Sequence, residues 1–217
     1  MAILTALYGL ATYLFFLATF VCTIGFVGNL PLLPKTIDSG APAPLVETLA
    51  VNLALLGLFA VQHSVMARRG FKRWWTQLIP ESMERSTFVL AATGALALLL
   101  WQWRPIAEPV LWSVSDPVAR FALHGVFWLG WGVLLISTFL INHFELFGLR
   151  QVWANLRGQV LPVPEFRTPL FYRHVRHPIY LGFVLAFCAT PQMTAGHLLF
   201  AAACTVSGSP DTRGCHQ

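Results

Sequence analysis

Charge is what this chain has least of: Asp, Glu, Lys and Arg make up 11% of its 217 residues, against 56% hydrophobic residues. A soluble domain carries about 25% charged residues, and with a mean hydropathy of +0.64 the composition excludes ordinary packing in water and points to the bilayer as solvent. A basic segment ahead of the first apolar run is also missing. That run, residues 3–28, exceeds the roughly 7 to 15 apolar residues of a secretory signal, so it is expected to stay as a membrane helix. The four cysteines, Cys22, Cys188, Cys204 and Cys215, have no CxxC or other ligand spacing, which excludes the common metal and redox motifs and leaves them as small apolar residues. Repeated histidine boxes are absent as well. His174 and His177 form a single such pair, too little to build a metal centre from His63, His143, Glu145, His174 and His177, so no metal is expected. No internal repeat or pair of broken helices suggests a transporter.

What is present is a series of apolar runs near the roughly 20 residues that a helix needs to cross a hydrocarbon core. They are residues 3–28, 48–66, 87–103 and 121–141. A fifth, 179–206, is broken at Thr190-Pro191-Gln192, where proline denies the helix a backbone donor. It is expected to form a helical hairpin, with one kinked span as the alternative. The fold class is therefore all-α: a polytopic helical membrane protein with four spans plus a C-terminal hairpin.

Ten of the fourteen lysines and arginines fall in the loops after the second and fourth runs. Because cytoplasmic loops carry the excess of positive charge, the N-terminus is expected in the cytoplasm. The basic pI of about 9.4 then reflects charge bordering spans and meeting lipid headgroups, and no nucleic-acid partner is expected. The outer loops, 29–47 and 104–120, are proline-rich connectors. The inner loop 67–85 mixes Arg68, Arg69, Lys72, Arg73 and Arg85 with Phe71, Trp74 and Trp75, the make-up of an amphipathic segment at the headgroups.

Chemistry belongs in the second inner loop, residues 142–178, which gathers His143, Glu145, Arg150, Tyr172, Arg173, His174, Arg176 and His177 beside the membrane. Pro178 suits the first turn of a helix, so Arg176 and His177 lie at its positive end, where backbone donors and a guanidinium can receive a carboxylate. Tyr180 can offer its ring to a cation. The competing structural reading is that these side chains only anchor a helix at the interface. His63, near the inner end of the second span, is equally a site residue or an interhelical hydrogen-bonding group; His124 and His197, on the outer side, are expected to be structural.

The segment Arg176-His177-Pro178-Ile179-Tyr180, at the start of a membrane hairpin, resembles the signature of the NnrU-like and isoprenylcysteine carboxyl methyltransferase-like superfamily of membrane proteins. The likeness runs from about residue 3 to about 203. It includes Gln62-His63-Ser64, Phe71-Lys72-Arg73-Trp74-Trp75, Asn142-His143-Phe144-Glu145-Leu146-Phe147-Gly148-Leu149-Arg150 and Thr190-Pro191-Gln192-Met193, an order shared with the thiol-methylating branch of that superfamily. The resemblance implies S-adenosylmethionine as methyl donor, methanethiol as the small thiol substrate, dimethyl sulfide as product and a bacterial inner membrane as location. It also implies donor binding by Tyr172, Arg176, His177, Pro178 and Tyr180. His143 or His177 would take the thiol proton, Arg150 or Arg173 would stabilise the thiolate, and Glu145 would act as catalytic partner or orient a histidine. The alternative within the superfamily is a non-catalytic NnrU-like protein linked to nitrogen-oxide metabolism.

Residues 1–203 are expected to form a single domain. Beyond Ala203 the family pattern of a longer helix, an acidic pair and a covering segment gives way to a polar, glycine-bearing stretch, 204–217, as a truncated or frameshifted reading would produce. A chain without that cover is expected to insert into the membrane but turn over poorly.

Overall fold

The computed structural model describes residues 2–41, 43–159 and 178–207. The first two apolar runs are helices α1 (Ala2–Val27) and α2 (Leu45–Ala67), and a short interfacial helix, α3 (Arg69–Trp75), follows them. The next two runs are α4 (Glu81–Gln102) and α5 (Pro117–Ile141). α1, α2, α4 and α5 are each long and apolar enough to cross a membrane. Two of them begin earlier than hydropathy suggests. α4 starts after Pro80 with Glu81 and Glu84 in its first turn, where acids favour the positive end of the helix dipole. α5 starts at Asp116, whose carboxylate accepts from the Ala119 amide at 2.8 Å, with proline in the first turn. In α4 the first turn is polar, and in α5 Arg120 closes it, so the uninterrupted apolar run starts inside the helix.

Burial along α1 is the reverse of that in a soluble helix. Thr5, Gly9, Thr12, Thr19 and Thr23 face the bundle, while Ile3, Leu7, Leu10 and Leu14 are exposed. Lipid tails are as apolar as leucine, so helices in lipid associate through small residues that let backbones approach. The closest such approach joins α5 to α8 (Pro178–Cys188). A Cβ on Gly130 would lie 2.5 Å from the Ala186 nitrogen, and one on Gly182 would lie 2.8 Å from the Leu134 nitrogen. Neither position has room for a side chain.

The fifth apolar run is a hairpin. α8 ends at Cys188, a short strand β2 (Gln192–Thr194) makes the turn, and α9 (Ala195–Ser207) returns. The loop 104–120 does more than connect. Its strand β1 (Val110–Ser113) pairs antiparallel with β2, Val110 opposite Thr194 and Ser113 opposite Gln192, with an irregularity between Val110 and Trp112. Backbone groups freed by the break at Pro191 need partners. The loop supplies them: Val114 N–H donates to the Pro191 carbonyl at 2.8 Å, and Gly196 N–H to that of Ile106 at 3.0 Å.

Beside this pairing, Asp38 accepts from Asn29 Nδ2 at 2.7 Å and from Thr194 Oγ1 at 2.5 Å. Fully buried His197 donates through Nε2 to the Phe187 carbonyl at 2.9 Å, the structural role expected of it. Phe26, Trp103, Phe187 and Phe200 pack as an aromatic core under this end of the bundle. α9 runs past Ala203, so the first residues of the expected polar tail are helical. Thr205 hides its hydroxyl by donating to the Ala201 carbonyl at 2.7 Å. Residues 208–217 lie outside the described residues.

Candidate active site

The chain between α5 and the next long turn of helix is shaped by two residues with positive φ, Asn142 and Gly148. Asn142, at φ 131°, ends α5, in a region that asparagine tolerates better than most residues. Its side chain caps the next turn, accepting from Glu145 N–H at 3.4 Å and donating to Glu145 Oε2 at 2.7 Å. The short helix α6 (His143–Leu146) follows, then Gly148 at φ 84°, then α7 (Leu149–Leu156). A Cβ on Gly148 would sit 2.6 Å from Ser86 Oγ, so glycine lets this turn close against α4. Arg85, on α4, donates through Nε to the Leu146 carbonyl at 2.9 Å.

This turn carries His143 back beneath α5, where it is 3% exposed. The ring stacks on Phe139 at 4.3 Å, with an interplanar angle of 7°. Nδ1 lies 2.8 Å from Thr138 Oγ1, and Nε2 lies 2.8 Å from the Tyr13 hydroxyl. Thr138 has one proton and directs it to the Leu135 carbonyl at 2.7 Å. The consistent assignment therefore has Nδ1–H donating to Thr138 and Tyr13 donating to Nε2. Burial pushes the His143 imidazole below its ordinary range, which favours the same neutral ring.

Glu145 does not orient His143, whose two nitrogens are already taken by hydroxyls. It accepts from Arg150 Nη1 at 2.6 Å and from Asn142, and so braces the α6–α7 turn.

Beneath the turn lies a cavity of about 530 Å³ between α1, α2, α4, α5, α8 and α9. Phe16, Phe20, Phe88, Trp131, Phe183 and Phe187 give it aromatic walls, and His63, Arg85, Thr138 and Tyr180 bring polar groups to it. His63 stacks on Phe59 at 5.9 Å and packs against Phe88 at 5.3 Å; the Arg85 guanidinium lies 5.7 Å from the Phe88 ring centre.

Of the residues singled out in the sequence, Pro178 and Tyr180 line the cavity and open α8, as the proline placement predicts, and His63 lines it as well. His143 stands behind Thr138 and Phe147, which form part of the wall. Tyr172, Arg173, His174, Arg176 and His177 lie outside the described residues. Sequence reasoning missed Tyr13 and Thr138, and it read Arg85 as a topology signal and part of an interfacial segment. An arginine at the end of a span was a sign of more than orientation; nothing local marked the two hydroxyls.

Four spans and a hairpin enclosing an aromatic cavity with a few polar groups at one end define a polytopic membrane protein with a ligand site inside its helical bundle. The chain is 58% identical over 202 residues to methanethiol S-methyltransferase of Mycobacterium tuberculosis, covering 93% of this chain and 82% of that protein. It is 55% identical over 200 residues to methanethiol S-methyltransferase 1 of Bradyrhizobium diazoefficiens, covering 92% and 70%. Nurim of Bos taurus is a more distant relative, 29% identical over 215 residues, covering 88% and 80%. The chain belongs to the methanethiol S-methyltransferase family. These names favour the enzyme over the non-catalytic reading. No family model matches the chain, and no solved structure matches it.

Proposed function

We propose that this chain transfers a methyl group from S-adenosylmethionine to methanethiol, giving dimethyl sulfide, in the cavity beneath the α6–α7 turn. The observation that carries the reading is identity above one half to methanethiol S-methyltransferases over 93% and 92% of the chain. The cavity suits the donor. Its volume of about 530 Å³ falls within the range of pockets that enclose drug-sized ligands, roughly 300 to 1,000 Å³. Its aromatic faces can stack an adenine and face a sulfonium, and Arg85 supplies a fixed cation for a carboxylate or a thiolate.

Bound there, S-adenosylmethionine supplies an electrophilic methyl on a positively charged sulfur. Displacement at such a centre asks alignment and a thiolate of the protein, and calls for no metal. In this reading Tyr172, Arg176, His177, Pro178 and Tyr180 hold the donor, and Arg150 and Arg173 add positive charge to the 142–178 loop. His143 and Glu145 shape the wall, His143 by fixing Thr138 and Glu145 by bracing Arg150. The aromatic walls exclude water, which strengthens every charged contact inside.

In this reading the arginine-rich face is the cytoplasmic one and the N-terminus lies inside, and the bacterial relatives favour a bacterial inner membrane. A polar donor then arrives from the cytosol, and a small apolar thiol arrives through lipid or water. Membranes containing the chain, given methanethiol and methyl-labelled S-adenosylmethionine, are expected to release labelled dimethyl sulfide. Label no higher than in membranes without the chain would overturn the assignment.

A further inference from the structure

We infer that His63 takes the proton from the thiol substrate and that Arg85 holds the thiolate so formed, an inference that rests on the methyl-transfer reading. Among the described residues, the titratable or charged side chains lining the cavity are His63 from α2, Arg85 from α4, Tyr180 from α8 and Cys204 from α9. Arginine is a donor with no acceptor site, and the hydroxyl of tyrosine and the thiol of cysteine already carry a proton to donate. An imidazole is the member of this set that can accept a proton there. His143, the other described imidazole at this end, has both nitrogens committed to Tyr13 and Thr138.

The surroundings of His63 fit the role. Phe59 and Phe88 hold its ring on the cavity wall, and no hydrogen bond joins it to another described side chain. Arg85 is held in place at the cavity wall: its Nε is committed to the Leu146 carbonyl. Its two Nη groups make no hydrogen bond to a described residue, although the guanidinium lies beside Phe88 in the same wall. The imidazole and the guanidinium thus flank one ring and reach one space.

The step balances. The thiol S–H bond breaks, the proton moves to a His63 nitrogen, and the electron pair stays on sulfur. That sulfur forms its new bond to the methyl carbon as the methyl's old bond breaks, its pair leaving on the donor sulfur. The imidazolium then releases its proton to water.

The test uses the full chain, in membranes and in detergent. His63→Gln is expected to lower kcat/KM for methanethiol at neutral pH by ten-fold or more, with the donor Kd within two-fold of the wild type. The deficit should narrow as pH rises and the thiol ionises by itself. It should also be smaller for thiophenol, a more acidic thiol. A deficit equal at every pH and for both thiols, or no deficit, would overturn the inference.

A second measurement needs neither the variant nor the donor. Thiophenol absorbs differently as thiolate, so its ionisation on the solubilised wild-type protein can be read directly. Binding should favour the thiolate at a pH where thiophenol in empty micelles stays protonated; ionisation no greater than in empty micelles overturns the pairing even if a His63 variant fails to fold. This titration reports on His63 and Arg85 whether or not dimethyl sulfide is made, whereas wild-type protein that makes none would count against the methyl-transfer reading itself.

Discussion

At the scale of single residues, His143 shows how burial turns a titratable group into a structural part. Its folded-state value lies below the ordinary one because burial disfavours the imidazolium. The folded protein therefore resists a proton that the unfolded chain accepts. The contribution of this ring to stability is complete above about pH 6.5, its ordinary value, and is lost as pH falls below it. Thermal unfolding of the solubilised protein should shift to lower temperature between pH 7.5 and pH 5, and His143→Asn should flatten that slope. Tyr13→Phe leaves Nε2 without its donor and should cost about 1 kcal/mol of stability, measurable in the same melts. Where the donor is concerned, replacing Arg176 and His177 with alanine should weaken binding of S-adenosylmethionine ten-fold or more by calorimetry, about 1.4 kcal/mol; unchanged affinity would take both out of the site. Pro178 and Tyr180 were legible because proline placement is a local rule. Tyr13 was not, because its partner lies 130 residues away and no spacing along the chain encodes such a meeting.

Helices and strands were legible to the extent that their cause is local. Hydropathy marks the apolar part of each span, and the break at Pro191 marks the hairpin. The pairing of β1 with β2 left no local trace: each strand is four residues or fewer, and nearly eighty residues separate them. The tight α5–α8 contact was also hidden, since Gly130 and Gly182 gain meaning only once their backbones meet. Gly182→Val puts a branched side chain where even a Cβ comes within 2.8 Å of backbone. Overpacking of this kind costs typically about 1 to 3 kcal/mol. The variant should melt earlier in detergent and bind the donor poorly, because α8 carries the cavity wall from Pro178 to Phe187. A melting temperature equal to the wild type would show that the two helices are free to part.

For the molecule as a whole, the charge count predicts that the α3 and α7 regions lie on one side of the membrane. Single cysteines at Lys72 and Arg157, in a background lacking the native ones, should both react with an impermeant thiol reagent from the cytoplasmic side alone. Labelling from opposite sides would end the topology. The spans could be read from composition because crossing about 30 Å of hydrocarbon demands a long apolar run. The cavity could not, because six helices each contribute a few residues and its polar end forms only where α2, α4, α5 and α8 converge.

The hairpin is the exception to the length rule. α8 has 11 residues, about 16 Å of helix, roughly half a bilayer. Such a segment makes a poor membrane-crossing unit for the insertion machinery to recognise by itself. Its docking frame, however, has already left the ribosome when it emerges: Gly130 on α5, Asp38 and the strand partner Val110 all precede it in the chain. Biogenesis is therefore vectorial. The first four spans are each long enough to enter as independent units, and the hairpin is then expected to fold onto a bundle already in place, so the cavity closes only when the hairpin docks.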